Sequence, residues 1–240
     1  MKTSILYLAS LLFLLFFSNT TFAGDVYVEY KMTGIGNKPI TSKIYGKDGN
    51  LRSEVYMDMA AQKITTTTLT LKSKPNVTLI FNSMNKTYTE VKNIASGTIK
   101  DFDIKVIGTE KVGKYNCTHV KMSANGQSWD MWYAKDLPTI SFPISGQNAA
   151  ATQKMLAQLK SKGITGMPVK MTFVKPGAKT PAVTMLLTKF EQKNLNSALF
   201  AIPAGYKKNS VSFDAEKMKN MTPQQRKEII MKMMKEQAKQ

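Results

Sequence analysis

The run Val26-Tyr27-Val28-Glu29-Tyr30-Lys31-Met32-Thr33 alternates in a way that decides the fold class. Successive side chains of a pleated strand point to opposite faces, so Val26, Val28, Tyr30 and Met32 share one face and Tyr27, Glu29, Lys31 and Thr33 the other. That is a half-buried strand. The same period of two recurs outward from it. Residues 40–45 and 51–59 flank Lys47-Asp48-Gly49-Asn50, where Asp-Gly supplies the positive φ angles of a tight hairpin. Asn125-Gly126 joins residues 115–122 to 128–133, and Pro176-Gly177 separates 169–175 from 182–190. Residues 63–72, 77–81, 87–91 and 104–112 read as further strands, divided by Pro75-Asn76, by residues 82–85 and by Ser96-Gly97. About ten short antiparallel strands follow one another in hairpin order.

Two local features refine this mainly-β reading. The run Thr65-Thr66-Thr67-Thr68 is expected on the outer face of a strand, because β-branched threonines suit a pleated, partly wet surface. One helix interrupts the strands: residues 148–162 place Ala151, Met155, Leu156 and Leu159 on one stripe and stop at Gly163. A long curved meander wrapped around that helix buries both stripes at once.

The ends of the chain have a different character. Lys2 precedes an apolar run of thirteen residues, 5–17, and Thr21-Phe22-Ala23 then offers small residues where a signal peptidase reads. Residues 1–23 are therefore expected to be a secretory signal, too short to cross a bilayer, with cleavage leaving a soluble chain that begins at Gly24. The expected location is the periplasm or the extracellular space, which disfavours cytosolic roles such as transcription. Cys117 is the single cysteine, so the fold carries no intrachain disulfide. It does not follow the signal directly, so the lipid anchor of a bacterial lipoprotein is not expected.

Charge and the tail speak to partners. With 34 Lys+Arg against 16 Asp+Glu the chain carries +18. In a cytosolic protein this would suggest nucleic acid, but export makes nucleic acid an unexpected partner and anionic lipid surfaces the more natural counterparts. Spread over every element, the same lysines also keep a sheet protein soluble and blunt its edges. Residues 207–240 form a basic tail. Thr222-Pro223-Gln224-Gln225 reads as an N-cap, a proline at the first helical position and a glutamine three residues after the cap, followed by the stripe Ile229, Ile230, Met233 and Met234. That C-terminal helix either lies on an anionic membrane surface or stays loosely attached.

No residue pattern specifies a reaction. Cys117 and His119, two apart on one strand, project from one face and could approach as nucleophile and base. No third orienting group is identifiable, so a packed cysteine beside a hydrogen-bonded histidine is the simpler reading. One His and one Cys cannot build the usual tetrahedral zinc set without carboxylates. Glu54, Asp58, Glu90, Asp101, Asp103, Glu110, Asp130 and Asp136 show no local pairing. The chain's 16 methionines are more informative. Thioethers such as those of Met57 and Met59 are soft ligands for Cu(I), and they also line adaptable apolar cavities.

Five segments carry a family resemblance: residues 31–34, 44–52, 108–119 (Gly-Thr-Glu-Lys-Val-Gly-Lys-Tyr-Asn-Cys-Thr-His), Trp129 to Trp132 before Asp136-Leu137-Pro138, and Phe200-Ala201-Ile202-Pro203-Ala204-Gly205-Tyr206. They resemble a bacterial family of exported domains of unknown function, itself similar to the superfamily of the outer-membrane lipoprotein carriers LolA and LolB. The resemblance spans most of residues 24–206. It implies a half-open antiparallel β-barrel whose concave apolar face is covered by helix and receives acyl chains. The carriers have several lid helices where this chain has one, so carriage of lipoproteins itself is not implied.

Together these readings give an exported, non-enzymatic LolA-like half-barrel at residues 24–206, without cofactor or metal, that binds a lipid acyl chain or another hydrophobic small molecule. The expected lining is Val28, Tyr30, Met32, Val55, Met57, Trp129 and Met131 from the strands, with Met155 and Leu159 from the helix. The alternatives are a methionine-based copper protein of the envelope and an interaction module with no ligand.

Overall fold

The computed structural model describes residues 24–35, 38–59, 62–92, 102–124, 127–138, 149–174 and 181–209. The signal at 1–23, the turns at 125–126 and 176–177 and the tail helix from Thr222 lie outside the described residues. Nine strands come first: β1 (Val26–Thr33), β2 (Ile40–Lys47), β3 (Asn50–Met59), β4 (Gln62–Thr70), β5 (Val77–Asn82), β6 (Thr87–Lys92), β7 (Asp103–Val112), β8 (Tyr115–Ala124) and β9 (Gln127–Ala134). Then follow helix α1 (Ala149–Ser161), β10 (Met167–Val174), β11 (Val183–Gln192), a 3-10 turn (Ser197–Phe200) and β12 (Lys207–Lys208). The strands form one open sheet in the order β12-β6-β5-β4-β3-β2-β1-β11-β10-β9-β8-β7. Pairing is antiparallel except where β12 joins β6.

Local chemistry explains the elements. Asp48 and Gly49 both take positive φ, 51° and 81°, which is the hairpin the Asp-Gly pair requires. Gly163, at φ 71°, ends α1 in the left-handed conformation that a Cβ disfavours. The helix buries Met155, Leu156 and Leu159 of the expected stripe. Val28, Tyr30 and Met32 face the same interior, paired with Ile44, Ser42 and Ile40 of β2. The architecture is thus the open, unclosed antiparallel sheet that the resemblance implied, with the one internal helix that the sequence pattern predicted among the described residues.

The sheet has a core on each face. The larger lies on the α1 side, the inner face. The smaller lies on the outer face of the first half, where Leu69, Leu79 and Phe81 meet Leu195 and Phe200. Residues 195–206 lie across that outer face, and β12 then extends the sheet beside β6, with Lys207 N–H donating to the Lys86 carbonyl at 2.9 Å. The four threonines correct one expectation. Thr66 and Thr68 pair with Val55 and Ser53 on the inner face, and only Thr65 and Thr67 point outward, because consecutive residues of a strand alternate.

Candidate functional site

All nine residues expected to line the hollow meet in the inner core. Val28, Tyr30, Met32, Met131, Met155 and Leu159 are buried there, and Val55, Met57 and Trp129 pack against it half-buried. The pairing register adds a feature that the linear sequence hides. Met131 lies opposite Met171, Met171 opposite Met185, and Met185 opposite Met32, so one methionine ladder crosses four neighbouring strands. All four are buried, and Met122, Met155 and Met167 join them in the same cluster. Two hydroxyls in this interior, Ser42 Oγ and Thr118 Oγ1, are buried without a hydrogen-bond partner among the described residues, an arrangement that costs roughly 1–3 kcal/mol each. Tyr30 is satisfied, its hydroxyl donating to the Pro168 carbonyl at 2.8 Å.

The core reaches a cleft of about 370 Å³. Its walls are Val112, Gly113, Lys114 and Tyr115 at the β7–β8 turn, Val169 of β10, and residues 186–191 of β11. The turn joins β7 and β8, and β9 and β10 lie between β8 and β11, so the sheet must curl for the turn and β11 to share one cleft. Val169 and Leu187 are also buried members of the main core. Two bulges shape the cleft. The register slips between Pro168 and Lys170, leaving Val169 extra, and between Lys189 and Leu187, leaving Thr188 extra. A bulge re-aims the side chains beside it and strengthens local twist. Simple alternation gives no sign of a bulge, which is why these residues escape a sequence reading; the Gly108 to His119 motif was the available pointer to this turn.

Cys117 and His119 do share a strand face, but the surroundings separate their chemistry. Cys117 is 2% exposed, burial pushes its thiol up, and its Sγ contacts the Tyr115 carbonyl oxygen at 3.5 Å. A protonated buried thiol is a poor nucleophile. His119 has the orienting groups that the sequence did not reveal: Glu110 lies 3.2 Å from Nδ1 and Asp130 2.9 Å from Nε2. Trp132 stacks on the imidazole at 4.3 Å, donates its Nε1–H to Glu110, and carries Lys170 Nζ at 4.1 Å from its ring. The carboxylates come from β7 and β9, on either side of β8, so only strand pairing assembles them. The cluster is internally satisfied. Among the described residues no group of three or more His, Cys, Asp or Glu could hold a metal ion, and no helix is long and apolar enough to cross a membrane.

Comparison with known proteins bears on the fold. Residues 22–206 match the family described as a domain of unknown function, DUF4412, and the chain belongs to that family. No curated protein matches it. Among solved structures, an uncharacterized conserved protein of Thermus thermophilus aligns with TM-score 0.53 and 8% identity, covering 85% of this chain and 99% of that one. MucB of Pseudomonas aeruginosa, solved with MucA, gives 0.43 and 11%, covering 75% and 56%. A LolA superfamily protein of Nitrosomonas europaea gives 0.31 and 8%, covering 74% and 89%. The first alone of these three exceeds 0.5, and at 8% identity it speaks to fold only.

Proposed function

We propose that this is an exported, non-enzymatic binding protein that takes a lipid acyl chain or similar hydrophobic ligand between α1 and the inner face of the sheet. The methionine ladder carries the reading. A core built for rigidity favours Leu, Ile and Val in fixed rotamers, whereas unbranched thioether side chains re-pack around varied apolar shapes. Among the described residues one helix, α1, packs Met155, Leu156 and Leu159 into this interior, so admitting a chain requires that element to shift. Export rests on residues 1–23, and the basic tail at 207–240 would hold the protein near an anionic membrane surface, an association that deleting residues 218–240 should weaken at low salt.

Mass spectrometry of organic extracts from protein purified out of a native-like envelope tests this without presupposing a ligand. Co-purifying lipid is the expected result, together with uptake of a fluorescent fatty acid by wild type and its loss in Met155→Lys, which sets a charge in the interior. No lipid and no uptake would leave the interaction module ahead. The ladder also favours a second reading, Cu(I) held by thioethers. Met57→Leu with Met59→Leu, and separately Met171→Leu with Met185→Leu, keep apolar volume while removing sulfur; fatty-acid uptake should survive in both, and a Cu(I) titration that collapses in either would favour copper.

A further inference from the structure

We infer that the cleft between the β7–β8 turn and β11 holds the anionic head of a single-chain amphiphile whose tail runs into the methionine core. This rests on the reading of that core as a ligand site. The cleft offers two chemistries in succession. Its inner wall, Val169 and Leu187, is part of the buried core, so the apolar side of the cleft is continuous with the methionine cluster. Its mouth is cationic. Lys114 has no ion-pair partner among the described residues, and its Nζ rests 5.3 Å from the Tyr115 ring. Glu191 is the one carboxylate of the lining, and it is shared by Lys189 at 2.8 Å and Lys193 at 2.7 Å. Within the lining the ammonium groups of Lys114 and Lys189 outnumber the single carboxylate of Glu191, which leaves a surplus of positive charge beside an apolar wall, the complement of an anion carried on an alkyl chain. The bulges at Val169 and Thr188 lie on adjacent strands and both line the cleft, opening the sheet where the head would sit. A fatty-acid carboxylate and a lysophospholipid phosphate present the same recognition chemistry here.

Calorimetric titration of the full chain with laurate, dodecanol and lauroyl lysophosphatidylglycerol, all below their micelle thresholds, tests the inference. At least one anionic ligand should bind about tenfold tighter than dodecanol, and which of the two is tighter identifies the source of the head group. Lys114→Glu should weaken the anionic ligands by about tenfold and leave dodecanol unchanged, with an unaltered melting temperature. Lys111→Glu makes the same charge change outside the cleft lining and should stay within about twofold of wild type. If Lys114→Glu lowers the melting temperature, Lys114→Gln replaces it, with a loss of about threefold expected. Dodecanol binding as tightly as both anions, or equal losses at Lys111 and Lys114, would overturn the cleft's role and leave core binding standing. Failure of all three ligands to bind would overturn both.

Discussion

Asp25 shows how one side chain fastens the two ends of the domain. It accepts from Lys47 Nζ at 2.6 Å and from the Leu195 backbone N–H at 2.6 Å, joining the start of β1 to the segment that covers the outer face. Burial pushes its pKa upward, but the Lys47 hydrogen bond, the Leu195 N–H and the Lys47 charge outweigh it and hold the carboxyl below its ordinary value. The folded state therefore binds this proton less tightly than the unfolded chain. The stabilisation is complete above an unfolded aspartate pKa of about 3.9 and is lost as the pH falls through the lower folded value. Asp25→Asn should cost about 2 kcal/mol in urea denaturation at pH 7, and the difference from wild type should shrink below about pH 3. Equal differences at both pH values would remove the ionic contribution. Gly166 is constrained differently. At φ 93° it approaches β9 so closely that a Cβ would sit 2.0 Å from the Ala134 carbonyl oxygen. Gly166→Ala should accordingly lose more than about 2 kcal/mol, read from the same denaturation curves.

At the scale of elements, the segment after β11 is a cover rather than a loop. Asn196 caps its 3-10 turn, accepting from Ala198 N–H at 2.9 Å, and Phe200 is buried against the outer core. Arg52 pins it from the sheet: Nη1 donates to the Leu199 carbonyl at 3.1 Å while Nε pairs with Glu54 at 2.7 Å, both side chains largely buried. Tyr45 and Tyr56 also donate to Glu54, and burial followed by the Glu54 charge pushes the Tyr45 phenol up to about 12. Phe200→Ala should cost about 3–5 kcal/mol and raise binding of an apolar dye as Leu69, Leu79 and Phe81 lose their cover. Lys208→Ala removes an ion pair to Glu90 whose lysine is more than half exposed; its melting temperature should barely move. A large shift there would mean that β12 holds the cover in place.

For the whole molecule, the open sheet buries apolar side chains on both faces, against α1 on one and against residues 195–206 on part of the other. A chain of +18 should associate with anionic vesicles at low ionic strength and release as salt shortens the screening length to about 8 Å at 0.15 M. Co-sedimentation across a salt series measures this. Retention in high salt would point instead to apolar insertion.

Strand positions, the Asp48-Gly49 hairpin, the α1 stripe and the nine interior residues were legible in the sequence, because period two, period 3.6 and turn chemistry are local properties of consecutive residues. Tertiary structure alone decided the rest. Met32, Met131, Met171 and Met185 become a ladder only through pairing register, and Glu110 and Asp130 reach His119 only because β7 and β9 flank β8. The cleft depends on two bulges and on the curl that brings the β7–β8 turn to β11, and the second core depends on where a non-repetitive segment folds back. Register, bulges and fold-back are settled by contacts between residues far apart in the chain, whose energies no local pattern records.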